Sequence, residues 1–227
     1  MYFIIKLDLT YIIKSKSMTQ ILGLISQKGG VGKSTLARAI ACEARKANLS
    51  VKIADFDLQQ GTFTKWHQRR LQSDLAEVGS VEIFKSVKAA LEAAEGYDLM
   101  IMDGEGRASE KTLEIVKVAD LVIIPCGVSN DDTEPTCELA KALVDKGISR
   151  SKIVVTLSRV GSDASANRAR EDIQARGFTV VDGYIPEKTS YADAQYVGKS
   201  ILETRHKSVN DKSQTFIDTL IEIILKA

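Results

Sequence analysis

The feature that most constrains this chain is an eight-residue stretch, Lys28-Gly29-Gly30-Val31-Gly32-Lys33-Ser34-Thr35. It follows a short apolar run at 21–26 and opens a segment, 34–47, in which Leu36, Ala39, Ile40 and Ala44 have helical spacing. A strand, a glycine-rich turn and a helix in that order bring main-chain amides together on a bound phosphate. Glycines let the backbone approach the anion, and the amides point at it. Lys33 is then placed for the β- and γ-phosphates of a nucleotide, Ser34 for Mg2+ and Thr35 for the α-phosphate. The general pattern G-x-x-x-x-G-K-[ST] asks for glycine where this chain has Gln27. A glycine-rich turn with no ligand is the competing reading.

The rest of the chain repeats the strand-then-helix alternation. Apolar runs at 51–54, 81–84, 99–102, 121–124 and 153–157 read as strands, the fourth ended by Pro125, and 178–184 as a later one. Helical spacing falls at 62–75, 87–95, 109–118, 132–146, 165–176 and 214–225. Such alternation predicts an α/β fold, a mostly parallel sheet with helices on both faces. Ligands in these sheets sit at the carboxyl ends of the strands. Asp98-Leu99-Met100-Ile101-Met102-Asp103 ends at such a place in a carboxylate. Asp103 is suited to hold Mg2+ through water, or to serve only as a turn residue.

With 227 residues, 44% hydrophobic and 27% charged, the chain suits one soluble domain. The expected division is a single domain over 18–227 preceded by an extension, 1–17, with Met18 favoured as the true start. That extension is interrupted by Lys6 and Asp8 and makes a poor signal peptide. No apolar run approaches the roughly 18 residues a spanning helix needs. Cys42, Cys126 and Cys137 form no C-x-x-C pair, which argues against a zinc or iron–sulfur site and fits a reducing cytoplasm.

The loop's leading lysine, in the form K-G-G-x-G-K-[ST]-[ST], resembles the deviant Walker A motif of the ParA/MinD ATPases, within the P-loop NTPase fold. Asp55-Phe56-Asp57-Leu58-Gln59 resembles the D-x-D-P-Q motif of that family, with Leu58 in place of proline. Gly104-Glu105-Gly106 after the third motif is most similar to the short plasmid-partition members and their relatives in conjugative DNA transfer. Ile185-Pro186 through Gly198-Lys199-Ser200-Ile201 resembles the late segment of the family. The resemblance spans about 18–205.

It implies a cytoplasmic, nucleoid-associated ATPase with ATP and Mg2+ as cofactors. It further implies that ATP drives formation of a homodimer, that the dimer binds DNA non-specifically, and that a ParB-like centromere-binding protein stimulates hydrolysis. By the same resemblance Lys28 reaches the partner's phosphates, Asp57 positions or activates the attacking water, and Asp55 joins the Mg2+ shell. Asp57 as the N-cap of the following helix is the simpler alternative. The strand ends after the third motif form the base pocket in this family, which brings in Pro125, Ser158, Arg159 and Pro186. Arg159 either stacks on adenine or is merely exposed.

The net charge of +1 is unevenly spread. Residues 18–140 carry 14 Lys/Arg against 18 Asp/Glu, and residues 141–210 carry 12 against 8. The basic later half offers Arg168, Arg170, Lys199, Arg205 and Lys207 as phosphate contacts. A MinD-like membrane-cycling ATPase is the rival function. It calls for a basic amphipathic C-terminal helix, whereas 211–227 mixes Lys212 and Lys226 with Asp211, Asp218 and Glu222. A membrane partner is therefore not expected. A reductase-type relative would want paired cysteines, and there are none in a recognisable motif.

Overall fold

A computed structural model describes residues 18–107 and 109–227. The expectations for 1–17 lie outside the described residues. The strands are β1 (Gln20–Leu24), β2 (Val51–Asp55), β3 (Ser80–Ile83), β4 (Leu99–Asp103), β5 (Leu121–Cys126), β6 (Ile153–Val160), β7 (Thr179–Val180) and β8 (Ile185–Pro186), with helices between all but the last two. The helices are α1 (Lys33–Lys46), α2 (Thr62–Gln72), α3 (Val87–Glu92), α4 (Glu110–Val118), α5 (Asn130–Asp145), α6 (Asp163–Ala175), α7 (Thr189–Tyr196) and α8 (Lys207–Lys226). The sheet runs β3-β2-β4-β1-β5-β6-β7, with β8 beside the end of β6. Every pairing is parallel.

Both faces of the sheet are covered, which is why its central strands read as unbroken apolar runs. Side chains alternate across a strand. Leu99 and Ile101 accordingly join the core under α1, α2 and α8, while Met100 and Met102 join the core under α3, α4, α5 and α6. Gly23 lets α4 come close, since a Cβ there would stand 2.9 Å from Ile115. The register sets Asp103 opposite both Leu24 and Asp55. The carboxyl ends of β1, β2 and β4 therefore end side by side, and the loops that follow share one edge of the sheet.

Three expectations need correction. Pro125 does not end β5, which continues to Cys126 and pairs with β6 there. β1 pairs with β5 only as far as Ile123. On that side Pro125 has no neighbour to which it owes an N–H, so it is tolerated. The single strand expected at 178–184 is two short ones, divided by a turn with Gly183 at φ 82°. In that turn the carbonyls of Val181 and Gly183 accept from the Arg170 guanidinium instead of a ladder partner. The closing helix begins at Lys207, a full seven residues earlier than its apolar spacing indicates. Its start is organised by Asn210, whose side chain accepts from the amide and hydroxyl of Thr204. Phe216, Ile217, Leu220, Ile221 and Ile224 of α8 are buried in the core.

Candidate nucleotide site

Gly32, in the left-handed conformation (φ 92°, ψ 13°), is the N-cap of α1, and no side chain caps its first amides. Those amides are left for an external anion. Gly30 also has a positive φ, 77°, whereas Gln27 does not, so the departure at Gln27 costs the loop nothing. A Cβ on Gly32 would also crowd Ser158, 3.3 Å away. The Ser158 hydroxyl is buried and has no partner among the described residues. Ser26 Oγ donates to the Lys28 carbonyl at 2.9 Å and helps hold the loop's entry.

The loop floors a cleft of about 860 Å³. Residues 28–35 form one wall, residues 57–60 with Thr62 another, and residues 105–107 a third, with Ser26 and Arg38 at the back. Ser34 and Thr35 thus face the space where the sequence places a nucleotide. Lys33 Nζ lies 3.3 Å from Asp103 Oδ1, with the two side chains only 10% and 2% exposed. An incoming phosphate would replace the carboxylate as the partner of this buried ammonium and free Asp103 for a cation. A hydroxyl at Ser34 and a carboxylate at Asp103 are oxygen donors of the kind Mg2+ prefers.

Asp55 holds the loop after β2 in place. It is fully buried, and its Oδ2 accepts from Phe63 N, Thr64 N and Thr64 Oγ1, each at 3.1 Å, while Oδ1 accepts from Asp57 N at 3.1 Å. Burial raises its pKa, against those hydrogen bonds. These bonds tie the loop after β2 to α2, and Asp55, like Asp103 opposite it, stands outside the cleft lining. It also takes the capping role considered for Asp57. The Asp57 carboxylate instead accepts from Gln60 N at 2.9 Å and lines the cleft. Leu58 replaces proline where its own amide is used, donating to Phe56 O at 3.0 Å. Glu105, unassigned from sequence, accepts from Lys111 at 2.8 Å on the opposite wall.

Lys28 folds back within its own chain. Its ammonium donates to the Asp131 carbonyl and lies 3.7 Å from Asp132 Oδ1. That carbonyl is available because Pro135, four residues on, has no N–H to offer it. Gly127 leaves room for the Asp132 carboxylate, which a Cβ would meet at 2.3 Å. Arg159, at φ 57°, has a side chain 64% exposed, with Nη1 3.4 Å from Gly30 O and Nη2 3.6 Å from Glu187. Pro186 is buried against β6. Arg159 thus braces the loop from outside, and neither it nor Pro186 lines the cleft.

The later cations are dispersed. Arg168, Arg205 and Lys207 are exposed. Arg170 is tied to the turn after β7 and paired with Asp182 at 3.9 Å. That clamp leaves the Arg170 side chain 18% exposed and directed at that turn. Lys199 is half-buried, and its carbonyl accepts from Trp66 Nε1 at 3.0 Å. Lys199 and Arg205 line one small groove together with Asp193 and Glu203. Among the described residues no helix is long and apolar enough to cross a membrane.

Known proteins resemble this chain in sequence and in fold. Over 202 residues the chain is 27% identical to the Maintenance of carboxysome distribution protein A of Gloeobacter kilaueensis, covering 87% of this chain and 90% of that protein. It is 28% identical over 144 residues to the Protein virC1 of Rhizobium radiobacter, covering 60% and 62%. Its fold matches the septum site-determining protein MinD of Pyrococcus horikoshii OT3, solved with Mg-ADP, at a TM-score of 0.69 and 16% identity over 91% of this chain and 96% of that one. The family model for the CobQ/CobB/MinD/ParA nucleotide binding domain matches residues 22–201. That match covers the loop, all three carboxylates and the late Ile185–Ile201 segment, and the chain belongs to this nucleotide-binding family.

Proposed function

We propose that this chain is a DNA-partitioning ATPase: it dimerises on ATP, binds DNA without sequence preference, and leaves it on hydrolysis. The observation that carries the reading is the cleft that Lys33 and Ser34 share with the Asp57 loop, with Asp103 buried behind it against Lys33. The loop amides and Lys33 bind the triphosphate, and Ser34 and Asp103 hold Mg2+. When bound, the ion neutralises phosphate charge. Asp57 orients water towards the γ-phosphate. Lys28 leaves Asp132 and supplies a second cation across the dimer, where charge develops in phosphoryl transfer. Arg159, which touches the loop at Gly30 O, and Pro186 are assigned to the base in this reading.

Residues 18–227 act in this reading as one domain, cytoplasmic and nucleoid-associated, with a ParB-like protein as the partner that stimulates turnover. The relatives named for carboxysome distribution and septum siting favour a positioning role in general. DNA is preferred over a membrane because the apolar face of α8 is spent on the core. Burial pushes the Cys42 and Cys126 thiols up to about 12, which speaks against a thiolate-bound cluster. The test combines ATP turnover with filter binding of unrelated duplexes, with and without ATP. ATP-dependent binding to all duplexes alike is expected; ATP-dependent sedimentation with anionic vesicles and no DNA binding would replace this reading with the membrane one.

A further inference from the structure

Arg38 is an arginine that the motif does not call for, yet it is 7% exposed at the back of the cleft. Its Nη2 donates to Thr62 O at 2.6 Å, and its Nη1 donates to Gln195 Oε1 at 2.5 Å. The same Gln195 oxygen accepts from Thr35 Oγ1 at 3.2 Å. The guanidinium lies over the Trp66 ring at 5.3 Å. Burial lowers its pKa to about 10, so it stays charged at neutral pH, close to Asp103 and Asp55. Packing alone would be served by methionine or leucine, without burying a charge whose Nε has no partner among the described residues.

The loop that carries Asp57 is fastened at two places. Asp55 holds its first residues, and Arg38 holds Thr62, where the loop becomes α2. Arg38 projects from α1, the helix that carries Lys33, Ser34 and Thr35. We propose that Arg38 is a positioning residue for hydrolysis, fixing the Asp57 loop against the phosphate-binding helix and, through Gln195, joining both to α7. This rests on the ATPase reading above. Thr35 gives its hydroxyl to Gln195 here; when that hydroxyl turns to a phosphate, Gln195 keeps its bond to Arg38 alone among the described residues, and the junction beneath Trp66 responds.

Arg38→Met keeps the length of the stem and removes the bridge. A fluorescent ATP analogue should bind within about threefold of wild type, while kcat falls by about 10- to 100-fold with KM little changed, the signature of a misplaced group and not of lost binding. Trp66 is the chain's single tryptophan. Its emission should change on adding ATP to the wild type and stay still in Arg38→Met; Gln195→Ala should blunt the change and leave binding intact. If circular dichroism shows Arg38→Met to be unfolded, Arg38→Lys decides: it keeps the charge, cannot reach Thr62 and Gln195 together, and should also be slow. Wild-type kcat in a folded Arg38→Met or in Arg38→Lys would overturn the role. A wild-type protein that hydrolyses no ATP would instead overturn the ATPase reading on which it rests.

Discussion

Lys33 resting on Asp103 and Lys28 resting on Asp132 are two ammonium groups in very different settings. Lys33 is nearly buried, so it has few partners besides Asp103 and the phosphate that would replace it. Lys33→Ala should weaken ATP binding by about 10- to 100-fold, the loss of one or more charge-assisted hydrogen bonds, measured by titration with a labelled analogue. Asp57→Ala touches a half-exposed carboxylate whose one bond among the described residues is to Gln60 N. Binding should survive and turnover should fall by about 100-fold or more, leaving an ATP-bound dimer visible by light scattering. Lys28 is 44% exposed, and its pairing with Asp132 is of the weak surface kind. Asp132→Ala should therefore tighten the ATP-dependent dimer, though by no more than about fivefold, while Lys28→Ala should prevent it. A dimer that forms normally in Lys28→Ala would remove the trans role.

At the scale of elements, the strands were the most legible part of the sequence. Each central strand is apolar on both faces, and that pattern leaves little room for another reading. The Lys28–Thr35 loop and Asp103 were legible for the same reason: they sit where such strands end. Less legible were features that depend on a distant partner. α7 carries little amphipathic pattern, and Gln195 gains its meaning from Thr35 and Arg38, 160 and 157 residues away. Arg38 itself stands one helical turn from Thr35, a spacing that does put the two on one face. That Asp55 and not Asp57 caps α2 was hidden because either carboxylate suits a helix start. The joint between α7 and α2 gives a stability prediction. Gly198 has φ 78°, and a Cβ there would lie 2.2 Å from Arg70 N. Gly198→Ala combines left-handed strain with a backbone clash and should cost about 3 kcal/mol, or roughly 6–12 °C in Tm. Gly147→Ala, at φ 89° with open space around it, should cost only about 1 kcal/mol. Thermal melts of the two variants side by side test this.

For the whole molecule the question is which face meets DNA, and the structure narrows the five cations considered. Arg170 is held by Val181, Gly183 and Asp182, and Lys199 is half-buried. Arg205 and Lys207 are exposed and lie two residues apart at the entry to α8, with Arg168 exposed on α6. A chain of net charge +1 has little long-range pull on a polyanion, so binding has to come from local contacts. A dimer doubles those contacts, and each neutralised phosphate steepens log K against log salt by about 0.9. Replacing Arg205 and Lys207 together with glutamine removes up to two contacts per protomer. In the ATP state the slope should flatten by about 3 to 4, and affinity should fall alike on unrelated duplexes. Arg170→Gln should leave the slope as it is and lower Tm, because it loosens the turn between β7 and β8. Filter binding across a salt series, with and without ATP, separates these outcomes. A slope unchanged by the double replacement would move the DNA face away from the start of α8, and equal affinity with and without ATP would detach DNA binding from the nucleotide cycle altogether.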